Sequence, residues 1–319
     1  MENRRNILMD CDPGIDDAAA LCVAAAHPEA FRILGISTVA GNQTIETVTE
    51  NALRLTQFFG LDVPVAQGAK LPLTRPAKTA ADIHGKNGLG DVEIPKTDRK
   101  AVSDNAVVFL RDQIMGLPKG ERVTLVPTGP LTNIALLLKV FPEVRERVEE
   151  IVLMGGGACK GNVTPVSEFN IFADPEAASI VFESGLPVVM CGLDVTGKCG
   201  VDRETARELA GSGKKIARAV GSMIQFYLNS PAYRNRPAAY VHDAATFLYL
   251  LHPEIFRGER MPVSVDCSDG ITRGMTICDA RPTRPEGEYH TLVLLDADEK
   301  KFLEYLVEAV HMLDARLDG

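Results

Sequence analysis

The sequence predicts an α/β fold with a single open, mostly parallel β-sheet and helices on both faces, in a Rossmann-like arrangement. Short runs of Ile, Val and Leu recur along the chain, and each is followed by a cluster of Gly, Asn, Asp or Thr and then by a segment with helical spacing. The runs are apolar throughout rather than alternating, which is typical of parallel strands buried on both faces. The predicted strands are Ile7–Met9, Ile33–Val39, Val63–Ala66, Val123–Val126, Ile151–Met154 and Val188–Met190.

Helices are predicted between these strands and at the C-terminal end of the chain. Those between strands are Ala18–Ala26, Thr47–Phe59, Leu131–Lys139 and Pro175–Ser184. Near the C-terminus, apolar residues recur at three- and four-residue spacing and predict a helix that closes over the sheet, namely Phe302, Leu306, Ala309, Val310 and Leu313. We expect one domain over residues 1–319, with a helical insertion or lid at about residues 202–240.

Composition and charge exclude several classes of partner. With 45% hydrophobic and 24% charged residues the chain has the composition of an ordinary globular protein, and its net charge of −9 would repel a nucleic acid backbone. No apolar run reaches the length of a membrane span, and Ile7–Met9 is too short for a signal peptide. Seven cysteines without a CxxC pair are typical of reduced thiols. We expect a cytoplasmic protein that binds neither nucleic acid polymers nor membranes.

Four aspartates crowd the end of the first predicted strand: Asp10, Asp12, Asp16 and Asp17. Two carboxylates about 4 Å apart repel each other by roughly 4 kcal/mol at an effective dielectric constant of 20, so converging carboxylates need a cation or must bind protons. Oxygen ligands without a Cys or His pair favour a hard ion, Ca²⁺ or Mg²⁺. Other polar residues also follow strands, and ligands of open parallel sheets bind at this edge.

Two other interpretations of these aspartates are open at this point. They could cap the helix predicted from Ala18, although capping does not require four carboxylates. Alternatively, Asp10-Cys11-Asp12 could be the DxD motif of a haloacid-dehalogenase-like metal phosphatase, but that interpretation leaves Asp16 and Asp17 unexplained. A P-loop is not supported, because Gly155–Gly161 lacks its GK[ST] end.

A longer set of motifs resembles the inosine–uridine-preferring nucleoside hydrolase family, and most closely its bacterial ribonucleoside hydrolases. The motifs lie in the same order over most of the chain, at residues 10–18 (DCDPGIDDA), 39–44 (VAGNQT), 84–90 (HGKNGLG), 128–133 (TGPLTN), 154–156 (MGG), 168–170 (EFN), 174–177 (DPEA) and 242–243 (HD). The resemblance implies one α/β domain, a homodimer or homotetramer, Ca²⁺, and hydrolysis of the N-glycosidic bond of ribonucleosides. A catalytically silent nucleoside-binding protein on the same fold is the alternative.

The same resemblance implies which residues bind the ion and activate water. Its calcium ligands correspond to Asp12, Asp17, the main-chain carbonyl of Thr128, and Asp243. Asp16 corresponds to the general base that takes a proton from water, with Asp10 supporting the loop from behind.

Ribose and base contacts are implied residue by residue. The ring hydroxyls fall to Asn42 and Asn170, the 5′-hydroxyl to Asn162 and Glu168, and further contacts to His84, Met154 and Phe169, while a proton for the departing base comes from His242. Gln225 and Tyr233 are the candidates for the base pocket, with a slight preference for pyrimidines. Taken singly, Asn42 and Asn162 could instead be turn residues and Phe169 could be a core residue.

Overall fold

A computed structural model describes residues 4–284 and 287–318, and its strands form one large sheet with two small ones beside it. In chain order the strands are β1 (Arg5–Cys11), β2 (Phe31–Thr38), β3 (Val65–Gln67), β4 (Val123–Pro127), β5 (Val148–Met154), β6 (Val188–Cys191), β7 (Gly200–Asp202), β8 (Ala238–Tyr240), β9 (Phe256–Arg260), β10 (Val263–Val265), β11 (Thr276–Cys278) and β12 (Thr291–Ala297).

The large sheet has eight strands in the order β3-β2-β1-β4-β5-β6-β12-β9. Every neighbouring pair is parallel except β12 and β9, which are antiparallel at one edge. Because β2 and β4 flank β1, the chain reverses its direction of winding there, and a crevice opens beyond the carboxyl ends of these strands. The α/β fold class and all six predicted strands are confirmed.

Helices cover both faces of the sheet. They are α1 (Ile15–Ala26), α2 (Ile45–Phe58), α3 (Ala81–His84), α4 (Ala106–Met115), α5 (Thr132–Val140), α6 (Phe169–Ala173), α7 (Pro175–Phe182), α8 (Leu193–Thr196), α9 (Arg203–Gly211), α10 (Lys215–Asn229), α11 (Ala244–Leu251) and α12 (Glu299–Asp318). Short 3₁₀ turns span Pro142–Arg147 and Pro253–Ile255. Among the described residues, no helix is long and apolar enough to cross a membrane.

The core is divided by the sheet into two layers. One layer contains α1, α10, α11 and α12, and the other contains α4, α5 and α7. Every residue of α1 is buried, because this helix lies under α11 and α12 as well as on the sheet. The predicted C-terminal helix is confirmed, and all five of its apolar residues named above are buried.

The segment predicted as a helical insertion forms α9, α10 and β8. Helices α9 and α10 pack against each other, and α10 also contacts α12 and α1. Asp314 of α12 accepts hydrogen bonds from the backbone N–H groups of Ile216 and Ala217, at 2.7 and 2.9 Å, and thereby caps the first turn of α10. One end of this segment is therefore fixed to the core, while its movement as a lid stays a prediction.

Candidate active site

A cavity of about 690 Å³ opens at the carboxyl ends of β1, β4 and β5. Most of the residues that the sequence singled out line it, namely Asp16, Asn42, His84, Thr128, Met154, Asn162, Glu168, Phe169, Asn170, Tyr233, His242 and Asp243. Asp12 and Asp17 lie behind this wall, and both are buried. Asp16 and Asp243, which are 227 positions apart in the sequence, thus meet in one place, as the strand-end argument predicts.

The acidic cluster is assembled by two helix starts. Asp16 and Asp17 lie in the first turn of α1, and Asp243 immediately precedes α11. Carboxylate oxygens of these three residues lie within 4.8 Å of one another, and all three side chains are buried. The carboxyl groups of Asp17 and Asp243 are close enough to share a hydrogen bond when one of them is protonated.

Asp17 is held in place by three neighbours. Its Oδ2 accepts hydrogen bonds from the backbone N–H of Gly14 at 2.9 Å and from the side-chain amide of Asn42 at 3.2 Å. Its Oδ1 accepts a hydrogen bond from the hydroxyl of Thr128 at 2.7 Å. Asn42 therefore lines the cavity and also orients a carboxylate of the cluster.

Asp12 has one bound and one free carboxylate oxygen. Its Oδ2 accepts a 2.7 Å hydrogen bond from the backbone N–H of Asn42, whereas its Oδ1 is buried without a hydrogen-bond partner. Backbone comes very close on both sides, since a Cβ at Gly41 would lie 2.1 Å from Oδ2 and one at Gly129 would lie 2.8 Å from Oδ1. Positions 41 and 129 therefore require glycine because a side chain there would collide with Asp12, and not because of an unusual backbone angle.

The electrostatics of the cluster favour a bound cation. Burial and, after it, repulsion from Asp17 raise the pKa of Asp16 to about 7. Burial also raises the pKa values of Asp12, Asp17 and Asp243, and repulsion from neighbouring aspartates adds to this for Asp12 and Asp243. The free Oδ1 of Asp12 and an all-oxygen donor set fit a hard divalent ion such as Ca²⁺.

Asp10 lies behind the cluster and does not line the cavity. Its Oδ1 accepts hydrogen bonds from the hydroxyl of Ser37 at 2.5 Å and from the side-chain amide of Asn133 at 2.8 Å. The same amide donates to the carbonyl of Thr38, so Asp10 and Asn133 join the ends of β1 and β2 to the start of α5. From this position Asp10 can support the loop, but it does not reach the cavity.

His84 is connected to Asp16 through a tyrosine that sequence reasoning did not select. The hydroxyl of Tyr227 lies 3.2 Å from Oδ1 of Asp16 and 3.0 Å from Nδ1 of His84. Nδ1 of His84 also accepts a 3.2 Å hydrogen bond from the backbone N–H of Ile15. Burial lowers the pKa of His84 to about 3, so its imidazole is neutral near pH 7.

The structure does not bring Gln225 to the cavity. Its side-chain amide points toward the carbonyl of Ala206 in α9, at 3.5 Å, and two residues along α10 turn the helix by roughly 200°. Tyr227 therefore takes the position in α10 that faces the cavity, and its ring stacks on Tyr233 at a centroid distance of 5.3 Å. To predict Tyr227 instead of Gln225 from the sequence, one would need to know which face of α10 packs on α9.

The opposite wall is built around Glu168 and Asn170. The carboxylate of Glu168 accepts hydrogen bonds from the backbone N–H groups of Gly156, Asn170 and Ile171, at 2.9, 3.0 and 3.2 Å. The side-chain amide of Asn170 donates to the carbonyl of Thr128 at 2.7 Å and to that of Met154 at 3.1 Å. Phe169 lies between them, and Asn162 is exposed on the loop before them.

His242 lies on the cavity wall beside two cations that the sequence did not single out. Its Nδ1 is 2.7 Å from the hydroxyl of Thr196. Burial, Arg236 and Lys160, in that order of effect, lower the pKa of His242 to about 4. Arg236 also lies over the rings of Tyr233 and Tyr240, and its own exposed side chain gave no signal in the sequence.

Carboxylates grouped for a hard cation, facing a wall of amide and carboxylate groups suited to sugar hydroxyls, define the site of a glycosyl hydrolase on an α/β fold. The family model described as inosine-uridine preferring nucleoside hydrolase matches residues 7–304. The chain therefore belongs to the inosine-uridine preferring nucleoside hydrolase family, and it is an N-glycosyl hydrolase of ribonucleosides.

Individual relatives agree over nearly the full length. The chain is 41% identical over 316 residues to the pyrimidine-specific ribonucleoside hydrolase RihA of Shewanella baltica strain OS155, which covers 97% of both chains. It is 39% identical over 311 residues to the inosine-uridine preferring nucleoside hydrolase of Leishmania major, covering 97% of this chain and 98% of the relative.

A solved structure shows the same fold. The purine-preferring ribonucleoside hydrolase from Gardnerella vaginalis superposes with a TM-score of 0.89 at 33% identity, covering 97% of this chain and 99% of the other. The resemblance inferred from the motifs is thus confirmed, and the phosphatase interpretation of Asp10-Cys11-Asp12 is left without support.

Proposed function

We propose that this nucleoside hydrolase is calcium-dependent and prefers pyrimidine ribonucleosides. The observation that carries the proposal is the convergence of Asp16, Asp17 and Asp243 on a cavity whose other wall presents Glu168 and Asn170. The pyrimidine preference is supported by the 41% identity to Shewanella enzymes named as pyrimidine-specific. The family description names both a purine and a pyrimidine nucleoside, inosine and uridine, and the Gardnerella vaginalis enzyme is described as purine-preferring. Neither of these two comparisons supports a pyrimidine preference.

The ion would be held by the carboxylates of Asp12, Asp17 and Asp243 and by the carbonyl of Thr128. That carbonyl already accepts a hydrogen bond from Asn170, but a carbonyl oxygen has a second lone pair to offer. When bound, Ca²⁺ would orient the two ring hydroxyls of ribose and lower the pKa of a water molecule.

Asp16 takes a proton from the attacking water in this proposal. Its carboxylate lines the cavity, and the hydroxyl of Tyr227 fixes its Oδ1. Asp12 is the competing candidate, because its Oδ1 is buried without a hydrogen-bond partner. As the glycosidic bond breaks, the ribose becomes positively charged, and the surrounding carboxylates stabilise that charge.

The departing base receives its proton from His242. In the protonated ring, Nδ1–H donates to the hydroxyl oxygen of Thr196, and the second proton, on Nε2, passes to the departing base and leaves a neutral imidazole. Because the pKa of His242 is lowered to about 4, the protonated ring gives up that proton readily. Protonation matters because an anionic base is a poor leaving group. Tyr233 and Tyr227 form the aromatic part of the same wall.

Ribose recognition is assigned to the amide and carboxylate wall. Asn42 and Asn170 contact the ring hydroxyls, and Glu168 and Asn162 contact the 5′-hydroxyl. The remaining sugar and base contacts come from three residues on the cavity wall, namely His84, Met154 and Phe169.

Release of reducing sugar from a panel of nucleosides, with and without chelator, tests the proposal. Uridine and cytidine should be cleaved faster than inosine and adenosine, EGTA should abolish cleavage, and added Ca²⁺ should restore it. Full activity in EGTA would contradict the calcium assignment. Faster cleavage of inosine than of uridine would overturn the pyrimidine preference and leave the reaction class intact.

We also propose a state of assembly and a cellular location for the protein. A homodimer or homotetramer follows from the family, and light scattering during gel filtration measures it. All seven cysteines are free thiols, which supports a location in the reducing cytoplasm.

A further inference from the structure

The hairpin formed by β10 and β11 lies outside the large sheet, yet it contacts both loops that build the ribose wall. Ser167, directly before Glu168, donates its hydroxyl to the carbonyl of Arg273 at 2.7 Å and forms an isolated bridge with Met275. The next residue of the hairpin, Thr276, is buried at 1% exposure. No sequence motif discussed above includes this hairpin.

The hydroxyl of Thr276 makes an unusual pair of contacts with one glycine. It accepts a hydrogen bond from the backbone N–H of Gly157 at 2.9 Å and donates to the carbonyl of the same residue at 2.7 Å. Packing is equally close, because a Cβ on Gly156 would lie 2.9 Å from the methyl carbon of Thr276. One side chain thus fixes the turn at Gly155–Gly157 by hydrogen bonds and by contact.

This turn in turn positions Glu168. Gly156 has a φ of +77°, a backbone angle that favours glycine, and its N–H donates to Oε2 of Glu168 at 2.9 Å. The peptide between Gly156 and Gly157 is held on both sides, because its carbonyl accepts a hydrogen bond from the backbone N–H of Leu193 at 2.8 Å and its N–H donates to Thr276 at 2.9 Å. The Gly156 N–H belongs to the preceding peptide, so this anchor affects its direction through the backbone angles of Gly156.

We propose that Thr276 is a positioning residue for substrate recognition: through the Gly155–Gly157 turn, its hydroxyl holds the Glu168 carboxylate in place for the 5′-hydroxyl of the nucleoside. This inference rests on the proposed role of Glu168. It assigns a function in ribose binding to a hairpin that does not itself line the cavity.

The test compares uridine with 5′-deoxyuridine in the calcium-loaded enzyme. The measured quantity is the ratio of their kcat/KM values, which reports the use made of the 5′-hydroxyl. Thr276→Val keeps the shape of the side chain and removes its hydroxyl, so this ratio should fall about tenfold. Thr276→Ser retains the hydroxyl and should keep the ratio within about twofold of the parent.

A matched control separates positioning from general damage. Thr124 is also 1% exposed, but its hydroxyl has no hydrogen-bond partner and it lies away from the cavity, so Thr124→Val should leave the ratio unchanged. Thr276→Ala is measured beside Thr276→Val, so that the result does not depend on how one variant folds. Circular dichroism and Tm establish that each variant is folded.

The Glu168→Gln variant tests the role of Glu168 at the 5′-hydroxyl separately from the role of Thr276 in positioning Glu168. If Glu168→Gln lowers the ratio and the Thr276 variants lower both kcat/KM values equally, Thr276 is merely structural and the inference is overturned while the role of Glu168 stands. If Glu168→Gln leaves the ratio unchanged, the assignment of the 5′-hydroxyl is wrong and the inference fails with it. A selective fall in both Glu168→Gln and Thr276→Val supports both.

Discussion

Asp16 and Asp12 have different surroundings, and this difference predicts different defects. Asp16→Asn removes a carboxylate that Tyr227 orients, so kcat should fall by about 10²–10⁴-fold while calcium still binds. Asp12→Asn alters the free Oδ1 in the cluster and should weaken calcium binding itself. Titration calorimetry with Ca²⁺, alongside kcat for uridine, measures both. Near-normal turnover in Asp16→Asn would transfer the base role to Asp12.

The glycine at position 129 should be as important as a ligand, because its missing side chain makes room for Asp12. In Gly129→Ala the new Cβ would lie 2.8 Å from Oδ1 of Asp12 and from a methyl carbon of Val39. Overpacking of this kind costs about 1–3 kcal/mol of folding stability, and we expect calcium affinity to fall as well. Gly211→Ala is the control, since a Cβ there meets nothing within 4 Å. Equal folding stability and equal calcium affinity in the two variants would contradict the claim that Gly129 makes room for Asp12.

If His242 protonates the departing base, the loss of activity on its replacement should depend on the leaving group. In His242→Ala, cleavage of uridine should fall by about 10²–10⁴-fold, because the base then leaves without a proton. Cleavage of p-nitrophenyl riboside should fall much less, since p-nitrophenolate leaves unprotonated. Rates for the two substrates at one pH provide the comparison. Similar losses for both would assign His242 to binding or structure.

At the scale of elements, α12 determines where α10 begins. Asp314 is 2% exposed and accepts two backbone N–H groups of α10, so Asp314→Ala should lower the free energy of unfolding by about 1–2 kcal/mol, as loss of a helix cap does. Asp318 pairs with Lys214 on the surface nearby and serves as the control. Urea denaturation of both variants is the measurement. A loss in Asp318→Ala as large as that in Asp314→Ala would refute the cap.

Most of the elements predicted from the sequence are those that a short apolar run marks. The six parallel strands that were predicted are apolar runs, and the eight-stranded sheet contains all of them. Two strands of this sheet were not predicted. In β9 (FRGER) four of the five residues are exposed at the sheet edge, which leaves no apolar run to detect, whereas β12 (TLVLLDA) contains an apolar run and was missed despite it. Edge strands carry charged residues because an apolar edge would pair with the strands of other chains.

The same distinction holds for the site. Asp12, Asp16 and Asp17 follow one strand and were visible as a cluster in the sequence. Tyr227 and Thr276, by contrast, reach the site through helix and hairpin packing, and a single Tyr or Thr carries no signal of its own. What sequence reasoning missed is therefore the residues that support the site, rather than its acidic centre or the wall of Glu168 and Asn170.

At the scale of the whole molecule, calcium should stabilise the fold. Buried, mutually repelling carboxylates destabilise the metal-free protein, and an ion that binds only the folded state adds about 4 kcal/mol when present at 1,000 times its Kd. Thermal unfolding in EGTA should therefore show a Tm several degrees lower than in excess Ca²⁺. Asp243→Asn should reduce this difference. An identical Tm in both solutions would exclude a tight ion at the cluster.

Helix α1 has no exposed residue, and it carries Asp16 and Asp17 in its first turn. These groups are thus anchored to a fully buried helix, whereas Arg236 and Lys160 on the cavity wall are exposed residues. We therefore expect bond cleavage and choice of base to be separable. Exchange of residues 230–240 between relatives should redirect which nucleoside is accepted without rebuilding the machinery that breaks the bond.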